Sequence, residues 1–122
     1  MQEQTIYEEI GAENLKIMVD KFYELVFVDP LLSPLFNSDK KLIKHKQYLF
    51  LTQFLGGPDL YSQEFGHPRL RARHINHAIT EEHAVAWLKC MYAAIQELAI
   101  DEALKTRLFE RFPSTAFFMV NS

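Results

Sequence analysis

The first long run of spaced apolar residues covers residues 11–28 and predicts an amphipathic helix. Its apolar side chains recur every three or four positions and so share one helical face: Leu15, Met18, Val19, Phe22, Leu25 and Val26. Asp29-Pro30 should end this helix, because the residue before a proline is disfavoured in the helical conformation. Pro34 leaves room for only a short helical turn within residues 31–36.

A second amphipathic helix should follow, with Asn37 or Ser38 as its N-cap. Its inward positions combine apolar side chains with one amide: Ile43, Gln47, Phe50, Leu51 and Phe54. Gly56-Gly57-Pro58 should stop the helix. We expect a loop over residues 57–68, followed by a short helix over residues 69–75. A loop of that length in a compact domain is often functional.

The C-terminal part of the chain predicts two more helices. Thr80 is the expected N-cap of the first, with Glu81 and Glu82 favourably placed at its positive end. The inward face of this helix carries Ala84, Trp87, Leu88, Met91, Ile95 and Leu98. Asp101 is the expected N-cap of the last helix, whose inward positions are Leu104, Leu108, Phe112, Ala116 and Val120. Pro113 should kink that helix, because it lacks an amide hydrogen and its ring clashes with the preceding turn.

These patterns predict an all-α fold. No segment has the alternation of a credible strand, and neither a repeat nor a linker divides the chain. The 122 residues are the length of one domain, so we expect a single domain over residues 1–122. The long helices should pair as two antiparallel hairpins, with turns near residues 30–38 and 100–101.

Composition and charge narrow the class of protein. Ten Phe, five Tyr and one Trp indicate a thick apolar core or a pocket for a flat apolar molecule. The net charge of −3 argues against a general nucleic-acid binder. Cys90 is the single cysteine, which excludes an intrachain disulfide and fits a reducing compartment. With no signal-like N-terminus and no long apolar run, we expect a cytoplasmic protein without a membrane span.

Three hydrogen-bonding side chains lie on otherwise apolar helix faces. Gln47 interrupts the second helix, Tyr23 follows Phe22 on the first, and Trp87 faces inward on the third. Taken singly, each is best explained as ordinary core packing with a satisfied polar group. Three such side chains on three apolar faces are less ordinary than any one of them alone.

The histidines and arginines offer several binding chemistries. His45 and His83 fall where solvated side chains are expected, and His67 lies in a loop. His74 and His77 have no evident third partner for zinc, but His74 alone could ligate a haem iron from one face. The nearby Arg69, Arg71 and Arg73 are either a solvated basic face or a clamp for carboxylates. The chain contains neither a nucleophile elbow nor a phosphate-binding glycine loop, and Cys90 should be buried and inert.

Several motifs together resemble the group II truncated haemoglobins, and the similarity extends over nearly the whole chain. They are Tyr7-Glu8-x-Ile10-Gly11, Phe22-Tyr23, the run from Phe50 to Pro58, Leu60-Tyr61, Gly66-His67-Pro68-x-Leu70-Arg71-x-Arg73-His74, Ala86-Trp87-Leu88-x-Cys90-Met91 and Met119-Val120-Asn121. The block from Phe50 to His74 is the most specific. The resemblance implies a globin-like, truncated two-over-two helical sandwich around haem b (iron protoporphyrin IX).

The resemblance also assigns roles to individual residues. His74 would be the proximal iron ligand, and Tyr23, Gln47 and Trp87 would form the distal hydrogen-bonding set. Arg73, with Lys46 and Tyr61, would bind the haem propionates. The full set of residues expected to contact haem is His74, Phe36, Ile43, Lys46, Phe50, Leu51, Tyr61, Leu70, Arg73, Ile79 and Trp87. Two positions depart from the family pattern: Ile43 brings no hydrogen bond to the distal side, and residues 75–79 lack the usual prolines.

The implied function is binding of diatomic ligands, namely oxygen, nitric oxide or carbon monoxide, with slow release. Alternatives are a peroxidase-like or nitric oxide dioxygenase enzyme with a reductase partner, and a haem-free helical interaction or sensor domain. The sequence does not separate passive binding from turnover. A nucleic-acid partner is not expected, and the chain could be a monomer or a homodimer.

Overall fold

In the computed structural model, the described residues are 4–36, 39–67 and 78–121. Six α-helices lie within them: α1 (Ile6–Val26), α2 (Lys40–Phe54), α3 (Leu60–Phe65), α4 (Glu81–Gln96), α5 (Glu102–Phe109) and α6 (Pro113–Phe118). A 3₁₀ turn, Ser33–Leu35, joins the first two. The described part of the chain contains no strand, which confirms the predicted all-α class. The short helix expected over residues 69–75 lies outside the described residues.

Helix α1 begins five residues earlier than predicted. Thr5 forms a capping box with Glu8: the Thr5 hydroxyl accepts from the Glu8 amide at 3.1 Å, and the Glu8 carboxylate accepts from the Thr5 amide at 2.9 Å. Gly11, with φ of 82°, is a non-helical residue inside the helix. The helix ends at Val26, and Asp29 then organises the turn by accepting from the Leu31 and Leu32 amides.

The N-cap of α2 is Asp39, so the expected capping by Asn37 or Ser38 is wrong. The Asp39 carboxylate accepts from the amides of Lys41 and Leu42. The helix ends just before Gly56-Gly57-Pro58, as predicted. The predicted loop over residues 57–68 is partly helical, because it contains α3. Two hydrogen bonds between Gln53 and Ser62, at 2.9 and 3.0 Å, attach α3 to α2.

The predicted N-caps of the C-terminal helices are confirmed. The Thr80 hydroxyl accepts from the His83 amide at 3.3 Å, and the Asp101 carboxylate accepts from the Leu104 amide at 2.8 Å. Pro113 does more than kink the last helix. The chain leaves α5 at Phe109 and starts α6 at Pro113, where a proline is tolerated because the first helical amides lack intrahelical partners.

The core lies along α1, which packs against both α2 and α4. Its most deeply buried large side chains are Leu15, Met18, Phe22, Leu32, Leu51, Met91, Ile95, Leu108 and Phe112. Burying a side chain of this size stabilises the fold by about 1.5–3 kcal/mol. The first predicted hairpin is thus α1 with α2, and the second is α4 with α5 and α6. Among the described helices, none is long and apolar enough to cross a membrane.

Candidate functional site

A cavity of about 390 Å³ lies between α2 and the C-terminal helices, a volume within the usual range for ligand pockets. It exists because α2 and α4 both pack on α1 but make little contact with each other. Its apolar lining comprises Leu32, Leu35, Phe36, Leu42, Ile43, Phe50, Leu51, Phe54, Ile79, Ala84, Phe112, Ala116 and Met119. Its polar lining comprises Tyr23, Asp39, Lys46, Gln47, Tyr61, His83, Trp87 and Thr115.

Aromatic rings form much of the cavity wall. Phe50 and Phe54 lie one helical turn apart on α2 and stack with centroids 5.5 Å apart. Phe50 also meets Tyr61 edge to face at 6.0 Å, and Phe54 contacts Phe112 at 5.8 Å. Rings in contact hold one another in place. The cavity therefore has a rigid apolar wall suited to a flat apolar molecule.

Tyr23 brings a hydroxyl into this apolar space. Its side chain is only 3% exposed, and its ring is fixed by Phe22, Phe27 and Phe36 at centroid distances of 4.9, 5.2 and 5.9 Å. No hydrogen bond to the hydroxyl occurs within residues 4–36, 39–67 and 78–121. Burial raises the pKa of Tyr23 well above its ordinary value. The group therefore stays protonated at neutral pH and can donate to a ligand in the cavity.

Trp87 and Gln47 complete a polar set with Tyr23. Trp87 projects from α4 and is held by Phe22 and Phe112, at centroid distances of 5.0 and 5.7 Å. Its indole nitrogen can only donate. Gln47 projects from α2 and is half-buried at the cavity wall. Three helices thus contribute one hydrogen-bonding side chain each to the same cavity.

His83 also lines the cavity, whereas a solvated position was predicted. It is half-buried, and its Nδ1 accepts from the Thr80 amide at 2.9 Å. The Thr80 hydroxyl is 3.1 Å from the same nitrogen. A nitrogen that accepts in this way leaves the proton of a neutral imidazole on Nε2. The prediction failed because a histidine in the first turn of a helix serves as a cap as readily as it faces solvent.

Two hydrogen bonds link Ile79 to Asn121, 42 positions later in the sequence. Its amide donates to the Asn121 side-chain oxygen at 2.8 Å, and its carbonyl accepts from the Asn121 amide at 2.9 Å. The Ile79 side chain, 7% exposed, lines the cavity. The last described residues therefore position a wall residue of the site.

Comparison with known proteins places these features in a family. The sequence profile of the Bacterial-like globin family matches residues 5–121. Group 2 truncated hemoglobin YjbI from Bacillus subtilis is 50% identical over 115 residues, which cover 94% of this chain and 87% of that protein. The chain belongs to the group II truncated haemoglobins.

Solved structures agree with this assignment. The structure of truncated oxygen-avid haemoglobin from Bacillus subtilis superposes with a TM-score of 0.91 at 49% identity, covering 97% of this chain and all of that one. The group II truncated hemoglobin of Bacillus anthracis gives a TM-score of 0.94 at 45% identity, covering all of this chain and 95% of that one. The predicted truncated-globin fold is confirmed.

Membership of a globin family implies haem binding, and the described residues of this truncated haemoglobin fit such a group. The ring-lined wall suits a flat macrocycle, and the polar lining includes Lys46, which can meet a carboxylate. Haem iron is also held by a side chain of the protein. The predicted ligand, His74, lies outside the described residues.

Most other predicted contact residues of the truncated haemoglobin do line the cavity. They are Phe36, Ile43, Lys46, Phe50, Leu51, Tyr61, Ile79 and Trp87, together with Tyr23 and Gln47. Leu70 and Arg73, like His74, are among the residues that are not described. Sequence reasoning did not assign to the site Leu32, Leu35, Asp39, Leu42, Phe54, His83, Ala84, Phe112, Thr115, Ala116 and Met119.

For these additional wall residues, the sequence indicated an inward position but not a place at the cavity. Phe54 was predicted to face inward, and it follows Phe50 by one turn on the same face. Phe112 and Ala116 were likewise predicted as inward positions of the last helix. Periodicity distinguishes inward from outward positions, but it does not distinguish a core contact from a cavity wall.

Proposed function

We propose that this truncated haemoglobin holds haem b in the described cavity, with His74 as the iron ligand, and binds a diatomic molecule beside Tyr23, Gln47 and Trp87. The carrying observation is the convergence of these three side chains, from three helices, on a cavity otherwise walled by rings. The proposal includes a single globin domain over residues 1–122. It also includes a cytoplasmic location, for which the lone buried thiol of Cys90 gives support.

Haem iron supplies reversible binding of oxygen, nitric oxide or carbon monoxide. With haem in the cavity, the Tyr23 hydroxyl and the Trp87 indole would be the donors to a ligand that carries partial negative charge. Gln47 offers both an amide donor and a carbonyl acceptor, and so can hold a ligand or orient a neighbouring donor. Each such bond contributes roughly 1–3 kcal/mol. The expected consequence is tight binding and slow release of oxygen.

The apolar wall strengthens these hydrogen bonds. Phe36, Leu51 and Phe112 line the same space with apolar surface. Where water is excluded, a donor does not compete with solvent, and its electrostatic interaction with the ligand is stronger. A tyrosine hydroxyl is protonated at neutral pH, and burial, which raises the pKa of Tyr23, extends this to more alkaline pH. The donor set is therefore available over the whole neutral pH range.

A second candidate function is turnover: peroxidase-like chemistry or nitric oxide dioxygenation with a reductase. The same observation favours it, because donors held beside a reacting oxygen can polarise it as well as retain it. Steady-state consumption of peroxide, or of nitric oxide with a reductant, distinguishes turnover from binding. If the purified protein fails to take up supplied haem, the haem-free interaction domain becomes the better account.

The first test replaces the proposed iron ligand. Wild type reconstituted with haem should show a strong Soret band that shifts on reduction and again with carbon monoxide. His74→Gly should lose the proximal bond, and added imidazole should restore a wild-type-like spectrum because it supplies the missing ligand. Ultraviolet–visible titration with haem measures both.

His77→Gly is the matched control, since it removes an imidazole three positions away. It should retain the wild-type spectrum. An unchanged spectrum in His74→Gly, or a loss in His77→Gly that imidazole rescues, would move the iron ligand away from His74.

A further inference from the structure

The chain after α6 returns to the segment that precedes α4. There Ile79 and Asn121 exchange two hydrogen bonds: the Ile79 amide donates to the Asn121 side-chain oxygen at 2.8 Å, and the Asn121 amide donates to the Ile79 carbonyl at 2.9 Å. One residue therefore serves both backbone polar groups of Ile79. Two bonds fix the direction of this backbone as well as its distance from the chain after α6. We call these two residues the Ile79–Asn121 pair.

The Ile79–Asn121 pair connects two helix ends that both border the cavity. Thr80, next to Ile79, is the N-cap of α4, and Asn121 follows the end of α6. Each helix end carries residues of the cavity wall: His83 and Ala84 from the first turn of α4, and Thr115, Ala116 and Met119 from α6 and its C-cap. The position of the pair therefore affects wall residues from both helices.

Ile79 is buried, but it is not part of the core along α1. Its side chain is 7% exposed and lines the cavity. It does not belong to the cluster of buried apolar residues that contains Leu15, Phe22 and Met91. A bond that fixes Ile79 therefore shapes the cavity more directly than it shapes the core.

Ring packing does not hold this part of the cavity wall. Elsewhere the wall is fixed by contacts between rings, as for Phe50 with Phe54 and for Phe54 with Phe112. Ile79 and Met119 carry no ring, and a methionine side chain has three rotatable bonds. The two hydrogen bonds to Asn121 supply a fixed attachment at this place in the wall.

Asparagine suits this position because its side-chain oxygen accepts as a backbone carbonyl does. Ile79 precedes the N-cap of α4, so its amide and carbonyl lie outside the hydrogen-bond ladder of the helix. Asn121→Ala would keep the backbone bond to the Ile79 carbonyl but lose the oxygen that accepts from the Ile79 amide. That amide would then turn towards water, because a buried donor without an acceptor is costly.

We propose that Asn121 is a positioning residue for haem: it holds Ile79 in the cavity wall, and the fixed wall slows haem loss. This inference rests on the proposed haem site. Asn121 is not among the described residues that line the cavity, so it acts through Ile79. A flat apolar group is retained by many weak contacts, and a gap of about 0.5–1 Å removes roughly a quarter to a half of the attraction at each.

The test compares Asn121→Ala with Asn121→Asp in the haem-loaded protein. Asn121→Asp keeps a side-chain oxygen at the same reach, so it preserves the bond from the Ile79 amide. Transfer of haem to an excess of apomyoglobin, followed in the Soret region, gives the rate of haem loss. Asn121→Ala should accelerate this loss by about tenfold, as expected for one lost hydrogen bond, whereas Asn121→Asp should stay within about threefold of wild type. Equal acceleration in both variants would show that the accepting oxygen does not hold the wall.

Asn14→Ala is the matched control, because it removes the same kind of bond away from the cavity. The Asn14 side-chain amide donates to the Ile10 carbonyl at 2.8 Å within α1, and neither residue lines the cavity. This variant should lower the melting temperature of the haem-free protein, as Asn121→Ala does, yet its haem loss should stay within about twofold of wild type. If Asn14→Ala accelerates haem loss as much as Asn121→Ala, the effect is one of general stability and the proposal is overturned.

Nuclear magnetic resonance of isoleucine methyl groups reads the wall directly. In the carbon monoxide complex, the ring current of the porphyrin shifts the signals of methyl groups that lie against it. The Ile79 methyl signal should be shifted in wild type, should move towards its haem-free position in Asn121→Ala and should be restored in Asn121→Asp. Ile43, which lines the cavity from α2, is the internal control and should keep its shift in all three proteins.

Failure of this proposal and failure of the haem site give different results. Without a haem site, wild type forms no Soret band and both proposals fail, while hydrogen exchange of the Ile79 amide in the haem-free protein still reports its bond to Asn121. With a wild-type Soret band, two results overturn the positioning role alone. One is an Ile79 methyl signal that haem does not shift, and the other is a rate of haem loss that is the same in wild type and Asn121→Ala.

Discussion

Trp87 is the residue whose removal should most directly change ligand release. Its ring is clamped between Phe22 and Phe112, so Trp87→Phe keeps an aromatic side chain while deleting the indole donor. If that donor contributes 1–3 kcal/mol to the bound state, oxygen dissociation should accelerate from about fivefold to more than a hundredfold. Stopped-flow displacement of oxygen by carbon monoxide measures the rate.

The control for Trp87→Phe is the carbon monoxide dissociation rate. Carbon monoxide gains less negative charge than oxygen, so its release should change much less. An oxygen rate equal to that of wild type would remove Trp87 from the ligand-stabilising set.

Tyr23 should make stability depend on alkaline pH. Burial raises its pKa in the folded state above the unfolded value of about 10. The unfolded chain therefore loses this proton first, and the stabilisation present below pH 10 declines as pH rises above it. Urea unfolding between pH 8 and 11 should show a steeper loss in wild type than in Tyr23→Phe. Parallel pH profiles would show that the Tyr23 hydroxyl is not protected in the fold.

At the level of helices and turns, the connection after α2 sets a tight packing requirement. Gly56 has φ of 97°, and an added Cβ there would lie 2.6 Å from the Thr5 Cβ. Thr5 caps α1, so it can yield only by weakening that cap. Gly56→Ala should therefore combine backbone strain with a steric clash and lower the free energy of unfolding by roughly 2–4 kcal/mol.

Gly11→Ala is the matched comparison. Gly11 has a similar φ of 82°, but an added Cβ there meets no atom within 4 Å. It should cost only the strain of its backbone conformation, roughly 1–3 kcal/mol, because φ of 82° with ψ of 158° is almost confined to glycine. Chemical denaturation of both variants isolates the clash, and equal losses would show that Thr5 moves aside freely.

The helices also show what sequence reasoning could supply. Thr80 and Asp101 were predictable caps, because a short polar side chain precedes each amphipathic run and nothing nearby competes. At α2, three polar residues in succession could serve, and only the structure selects Asp39. Helix α3 was missed because six residues are too few to display a period. Its attachment by Gln53 and Ser62 is a tertiary effect that the local pattern does not contain.

The candidate site was likewise only partly predictable from the sequence. Three polar side chains on apolar helix faces were noticeable in the sequence: Tyr23, Gln47 and Trp87. The family resemblance assigned all three to the same side of one haem site. Met119 and Leu32 carried no such signal, because an apolar wall residue looks like a core residue in sequence. Whether a side chain borders a cavity depends on how far α2 stands from α4, which is set by long-range packing on α1.

At the level of the whole molecule, the cavity is built from side chains that are far apart in the sequence. Tyr23 comes from α1, Gln47 from α2 and Trp87 from α4. Helices α2 and α4 both pack on α1 and make little contact with each other. A change that loosens either packing contact should therefore alter the cavity as well as the stability of the fold.

The double hydrogen bond between Ile79 and Asn121 has a practical consequence for anyone handling the protein. Asn121 lies 42 positions after Ile79 in the sequence, yet its partner lines the cavity. Proteolysis that removes Asn121 during purification would delete both bonds while leaving the described cavity-lining side chains in place. A preparation shortened in this way could show heterogeneous haem occupancy with no change in its active-site composition. The intact mass of each batch should therefore be measured together with the ratio of its Soret absorbance to its protein absorbance.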